Sequence, residues 1–100
     1  MPAFFLYFQD DPAVPVDEAL RARHREYFLG RGEGAILGGP LFDEQQEVAG
    51  RVLVADFPTL EAARAWGEKE PLVEVGRSRL VHAAAMAIVQ KDGAFTPVGR

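Results

Sequence analysis

The chain has 100 residues and a formal net charge of −4, and its 11 Lys and Arg are scattered rather than clustered. That balance makes nucleic acid and anionic membranes poor partners, and no apolar run approaches the roughly 18 residues a membrane span needs. Cysteine is absent, which excludes disulfides, thiolate metal sites and cysteine nucleophiles; with 48% apolar residues the expectation is one cytoplasmic domain with a real core.

The first predicted element is a strand over Ala3 to Gln9, short, apolar and aromatic. Alternation sends Phe4, Leu6 and Phe8 to one face and Phe5 and Tyr7 to the other, so both faces need cover. Asp10 to Pro15, with two prolines, reads as a loop. Asp17 is a suitable cap for a helix running to about Gly30, on which Leu20, His24, Tyr27 and Phe28 form one stripe. Gly30, Gly32 and Gly34 end it. A second strand is expected over Ala35 to Leu41, a loop over Phe42 to Gly50 and a third strand over Arg51 to Phe57. Thr59 caps a second helix, with Leu60, Ala63 and Trp66 inward. Pro71 to Val75 reads as a single helical turn, Arg79 to Gln90 as a long fourth strand and Lys91 to Arg100 as an irregular tail.

The resulting order is β-α-β-β-α-β, the ferredoxin-like arrangement, an α+β fold. Its four-stranded antiparallel sheet carries the helices on one face. Two helices cannot cover the other face as well, so a homodimer with sheets packed face to face is expected.

Several residues are able to carry chemistry. His24 lies on the apolar stripe, where a partly buried imidazole suits general acid–base work; a lone histidine there is more often a core-edge residue bound to a carbonyl. Glu70, just before Pro71, is either a helix cap or a carboxylate partner for an imidazole, and Glu is a weak cap. Gly39 and Pro40, in the step Gly38-Gly39-Pro40, either let a ligand approach the backbone or permit tight packing. Arg51 either binds an anion or is a solvated strand end. Tyr7 could place a hydroxyl in a cleft. His82 is placed with Leu80, Ala84 and Met86 on one side of the last strand, near the dimer face. The two histidines have no metal-ligand spacing, so no metal site is expected. Gly30-Arg31-Gly32-Glu33-Gly34 follows a helix and precedes a strand, the reverse of a dinucleotide fingerprint.

His24, Gly38-Gly39-Pro40, the run Ala55-Asp56-Phe57-Pro58-Thr59-Leu60-Glu61-Ala62-Ala63-Arg64-Ala65-Trp66 and Glu70-Pro71 together resemble the YCII-related (YciI-like) family. The resemblance implies a ferredoxin-like domain that pairs into a dimeric α/β barrel. It also implies that His24 is the family's recurring histidine, and that Glu70 stands where the family typically has Asp followed by Pro. Gly50-Arg51 stands where relatives often have Gly-Ser. The activity implied is cofactor-independent acid–base chemistry on a small organic molecule, of the elimination, isomerisation or proton-abstraction type. The alternative is a dimeric module that binds a small ligand without chemistry.

Overall fold

The apolar run over residues 3–9 becomes a central strand, with a neighbour on each side and the helices over one face. The computed structural model describes residues 3–96. β1 (Ala3–Asp10) leads to α1 (Glu18–Leu29), β2 (Ala35–Phe42), β3 (Val48–Asp56), α2 (Leu60–Glu68), the single turn α3 (Pro71–Glu74) and β4 (Ser78–Met86). The main sheet has four antiparallel strands in the order β2-β3-β1-β4. This is the ferredoxin-like arrangement, with the helices on one face.

Alternation decides the two faces of β1. Phe4, Leu6 and Phe8 are buried on the helix side, packed with Leu53, Ala55, Phe57, Ala63 and Ala83. Phe5 and Tyr7 go to the other side, opposite Val54 and Val52 of β3 and Ala84 and His82 of β4. Helix caps follow the sequence: the side chains of Asp17 and Thr59 accept from the backbone N–H of Leu20 and Ala62 at 2.8 and 3.0 Å.

Four details depart from the sequence expectation. The hairpin between β2 and β3 is shorter, because strand pairing extends to Phe42 and Val48. A tight turn closes it: Asp43 Oδ1 accepts from the N–H groups of Gln45 and Glu47 at 2.9 and 3.0 Å, and Gln46 takes the left-handed conformation. The fourth strand stops at Met86 instead of running to Gln90. The tail is not wholly irregular, since β5 (Gln90–Lys91) and β6 (Ala94–Phe95) form a hairpin. Asp92 and Gly93 both have positive φ, as a two-residue primed turn requires. Its residues 97–100 lie outside the described ones.

The fourth departure changes which residues share a face. A register shift falls between the pairs Tyr7–His82 and Phe8–Leu80, so Val81 is an extra residue in β4. Leu80 therefore packs on the helix side with the core, while His82 stays opposite Tyr7. The expected grouping of Leu80 with His82 fails for this reason.

Trp66 does not simply press on the sheet. It joins the helices: its ring stacks on Tyr27 at 4.7 Å, meets Phe28 edge-on at 5.0 Å and lies 5.9 Å from Phe57. Close contact with the sheet is made one residue later by Gly67, where a side chain would come within 3.1 Å of both Leu6 and Leu80. Trp66→Ala removes the link between α1 and α2. Urea denaturation followed by circular dichroism should show a loss of about 3 kcal/mol, the lower end of large aromatic truncations because the ring is half-buried. A loss below about 1 kcal/mol, the scale of a surface change, would show that the stack does not hold the helices together.

Candidate active site

α1 presents Arg21, His24, Arg25 and Phe28 at helical spacing toward the edge of the sheet. β2 is left largely exposed beneath it. Between them opens a cavity of about 510 Å³, lined from the helix by those four side chains and Leu29, and from the sheet by β2 and residues 51–53 of β3. A second cavity of about 490 Å³ adjoins it, lined by Asp10, Val16, Arg21, His24, Val48, Arg51, Leu72 and Arg77. His24, Arg21 and Arg51 line both.

His24 is held from behind. Its Nδ1 hydrogen-bonds Glu70 Oε1, and its ring packs 4.6 Å from Phe28. With the carboxylate ionised, Nδ1 carries the proton and donates it, which leaves the Nε2 lone pair available. The imidazole is 22% exposed, and among the described residues Nε2 has no hydrogen-bond partner. Glu70 is fully buried. It lines neither cavity, so it reaches the cleft only through the imidazole.

Glu70 is also the cap of α3. Oε1 accepts from the Leu72 N–H at 3.0 Å, while Pro71 fills the first helical position. One oxygen, Oε1, thus contacts both the α3 backbone and the imidazole. Oε2 is buried without a protein partner among the described residues. Close by, burial and then the carboxylates of Glu70 and Glu74 hold the Tyr27 hydroxyl above its ordinary value of 10.0, with Arg31 opposing them. The hydroxyl therefore stays protonated at neutral pH and donates to the Trp66 carbonyl at 2.7 Å.

Arg51 is not a solvated strand end. Its side chain is 11% exposed, and it donates to Ser78 Oγ at 2.8 Å and Asp10 Oδ2 at 3.1 Å. Ser78 in turn donates to Asp10 Oδ1 at 2.6 Å, and Arg77 Nε reaches Oδ2 at 3.4 Å. Gly50, just before it, leaves no room for a Cβ, which would run into the Phe8 carbonyl oxygen.

The glycine-proline step does line the cleft. Pro40 pairs with Arg51 across the edge strand, where a missing N–H is tolerated. A Cβ at Gly39 would meet nothing within 4 Å, whereas one at Gly38 would come within 3.1 Å of Val52 O and 3.2 Å of Leu53 Cδ1. Gly38 is therefore the position that steric crowding fixes. Tyr7 is not brought to this cleft. It stands on the opposite sheet face, for the same alternation that buries Phe8 on the helix side. Arg21 and Arg25 were missed as lining residues. Their spacing around His24 was the available signal.

Residues 3–86 match the family model of the YCII-related domain. The chain belongs to the YCII-related family. A search of the curated proteins gives no match. Among solved structures, this YCII-related chain is similar to 5-chloro-2-hydroxyhydroquinone dehydrochlorinase from Burkholderia phenoliruptrix AC1100, in complex with 2,5-dihydroxybenzoquinone. The TM-score is 0.62 at 16% identity, covering 92% of this chain and 98% of that one, which is a likeness of fold. Among the described residues no helix is long and apolar enough to cross a membrane, and no group of three or more His, Cys, Asp or Glu side chains is gathered to hold a metal.

The hydrogen bond from His24 to Glu70 fixes one tautomer, which ring nitrogen NMR reads directly. In the wild-type protein the neutral ring should carry its proton on Nδ1. Glu70→Gln retains an oxygen to cap Leu72 but loses the charge, and the ring should then populate both tautomers. A Nδ1-protonated ring that persists unchanged in Glu70→Gln would show that the carboxylate does not orient it.

Proposed function

We propose that this YCII-family protein is a cofactor-independent enzyme that moves protons on a small organic molecule bound under α1. The observation that carries this reading is the hydrogen bond from His24 Nδ1 to buried Glu70 on a ring that borders an open cleft. His24 Nε2 takes a proton from the substrate. The imidazolium is stabilised by the Glu70 carboxylate behind it, then returns the proton to another atom or to a leaving group. Glu70 is the positioning carboxylate and His24 the catalytic group. Arg51, Gly39 and Pro40 contribute to the binding walls; Tyr7 lies on the far side of the sheet. Elimination and isomerisation both fit. The fold neighbour is by name a dehydrochlorinase, which favours elimination within this class.

The same Glu70 oxygen that holds His24 also caps α3, so the pair has a structural use even without turnover. That favours a ligand-binding module as the second reading. Thermal-shift screening of small hydroxylated aromatics and organic acids, followed by turnover assays on the hits, separates the two. If the enzyme reading holds, His24→Asn should lower kcat by about 10²- to 10⁴-fold, the usual worth of a positioned acid–base group, and ligand binding should persist. Glu70→Gln should lower kcat less, by about tenfold, or about 1.4 kcal/mol. Ligands that bind without turnover, or a His24→Asn variant as active as wild type, would leave the module.

The open sheet face supports a homodimer. Phe5, Tyr7, Val52 and His82 share it, and Leu37, Leu41 and Met86 along it are 57%, 40% and 42% exposed. Burying such a face at about 25 cal/mol per Å² is the drive toward association, less the cost of losing free motion. Light scattering at micromolar concentration should give a dimer, and Tyr7→Glu at the centre of the face should give a folded monomer. A wild-type monomer, or a dimer that survives Tyr7→Glu, would rule out this interface.

A further inference from the structure

The walls of the cleft point to the class of molecule it takes. In a chain of net charge −4, the larger cavity is bordered by Arg21, Arg25, Arg51 and His24 and by no acidic side chain. The rest of its lining is Phe28, Leu29, residues 35–40 and the β3 residues Val52 and Leu53, all without charge. The adjoining cavity has one carboxylate, Asp10, and that is already shared by Arg51 and Arg77. Among the side chains that line the two cavities, basic charge therefore exceeds acidic charge.

The fold itself gives no reason for this excess. Arg21 and Arg25 are one helical turn apart, a like-charge spacing that weakens a helix. Neither forms an ion pair among the described residues. Arg51 is a different case. Asp10 and Ser78 hold its guanidinium in place and take two of the five N–H groups such a side chain carries. A fork anchored in this way is preorganised to bind a planar carboxylate, with little side-chain freedom left to lose.

We propose that the cleft binds an apolar organic carboxylate, with Arg51 and Arg21 as the groups that recognise its charge and β2 and Phe28 as the walls that take its ring or chain. Bound there, the carboxylate places the adjacent carbon framework beside His24. The proposal rests on reading this cleft as the substrate site, but its test needs no turnover. The probes are 2-naphthoate and its neutral isostere 2-naphthamide, titrated into the wild-type protein by calorimetry and by amide NMR. Naphthoate should bind at least about tenfold tighter than naphthamide, shift the resonances of α1 and β3, and weaken as salt is raised. Arg21→Gln, at an exposed position outside any ion pair, should erase most of that preference and leave naphthamide binding unchanged. Arg51→Lys keeps a charge for Asp10 but loses the fork, and should weaken naphthoate as well. Arg64→Gln, on the exposed side of α2, should change neither. Equal binding of the two probes, a preference that survives Arg21→Gln, or an equal loss in Arg64→Gln would overturn the proposal. His24→Asn distinguishes it from the catalytic reading: a naphthoate preference kept in a variant that is as active as wild type would end the acid–base reading and leave the carboxylate site standing.

Discussion

The position of α1 is set by the aromatic stack between the helices, and the cleft exists because of that position. Tyr27, Phe28 and Trp66 draw α1 toward α2, over the part of the sheet made by β3, β1 and β4. Two helices drawn together cannot also cover the outer strand. β2 is left exposed on the helix side, and the uncovered strip is the floor of the cavity. Pro40 is tolerable on that strand because it is an edge, and Gly38 is needed because it sits tight against Val52 and Leu53. Core packing and cleft formation are thus one event.

The same stack positions His24. Phe28 belongs to it and also packs against His24, one turn earlier on α1. The imidazole is therefore gripped by the aromatic cluster on one side and by Glu70 on another, with the remaining edge toward the cleft. Glu70 comes from the turn that follows α2, so both sides of the grip depend on how the two helices meet. A second polar network, of Asp10, Arg51, Arg77 and Ser78, ties β1, β3 and β4 together beside it. Each buried charge in that network has an opposite charge in contact, the condition under which burial is tolerated.

The order of the elements was legible in the residues because each one carries its own period and its own punctuation. Glycine and proline mark most boundaries, and the β1 alternation separates the faces without help from the rest of the chain. It had already sent Tyr7 away from Phe8, so its absence from the cleft is what the alternation implied. The bulge at Val81 was not legible: a single extra residue leaves no compositional trace, and only pairing with β1 reveals it. The Asp92-Gly93 hairpin was a readable turn signal that went unused. At the site, the family resemblance brought His24 and Glu70 together on paper, but not the sharing of one oxygen. Residue types and spacing do not tell which carboxylate oxygen takes which donor. Arg21 and Arg25 lie off the apolar stripe of α1, and helical spacing alone does not tell which flank of a stripe meets a neighbouring strand.

Placing a helix cap and a histidine anchor on the same carboxylate oxygen ties two scales of stability together. α3 is four residues long and has little cohesion of its own. Local fraying of so short a turn costs far less than melting a four-stranded sheet. When it frays, Oε1 leaves the imidazole at the same moment that it leaves the Leu72 N–H. The orientation of the imidazole is then only as heat-resistant as the packing of the smallest helix, whatever the core withstands. Holding that orientation at a higher temperature calls for tighter packing around Pro71, not for a stronger sheet.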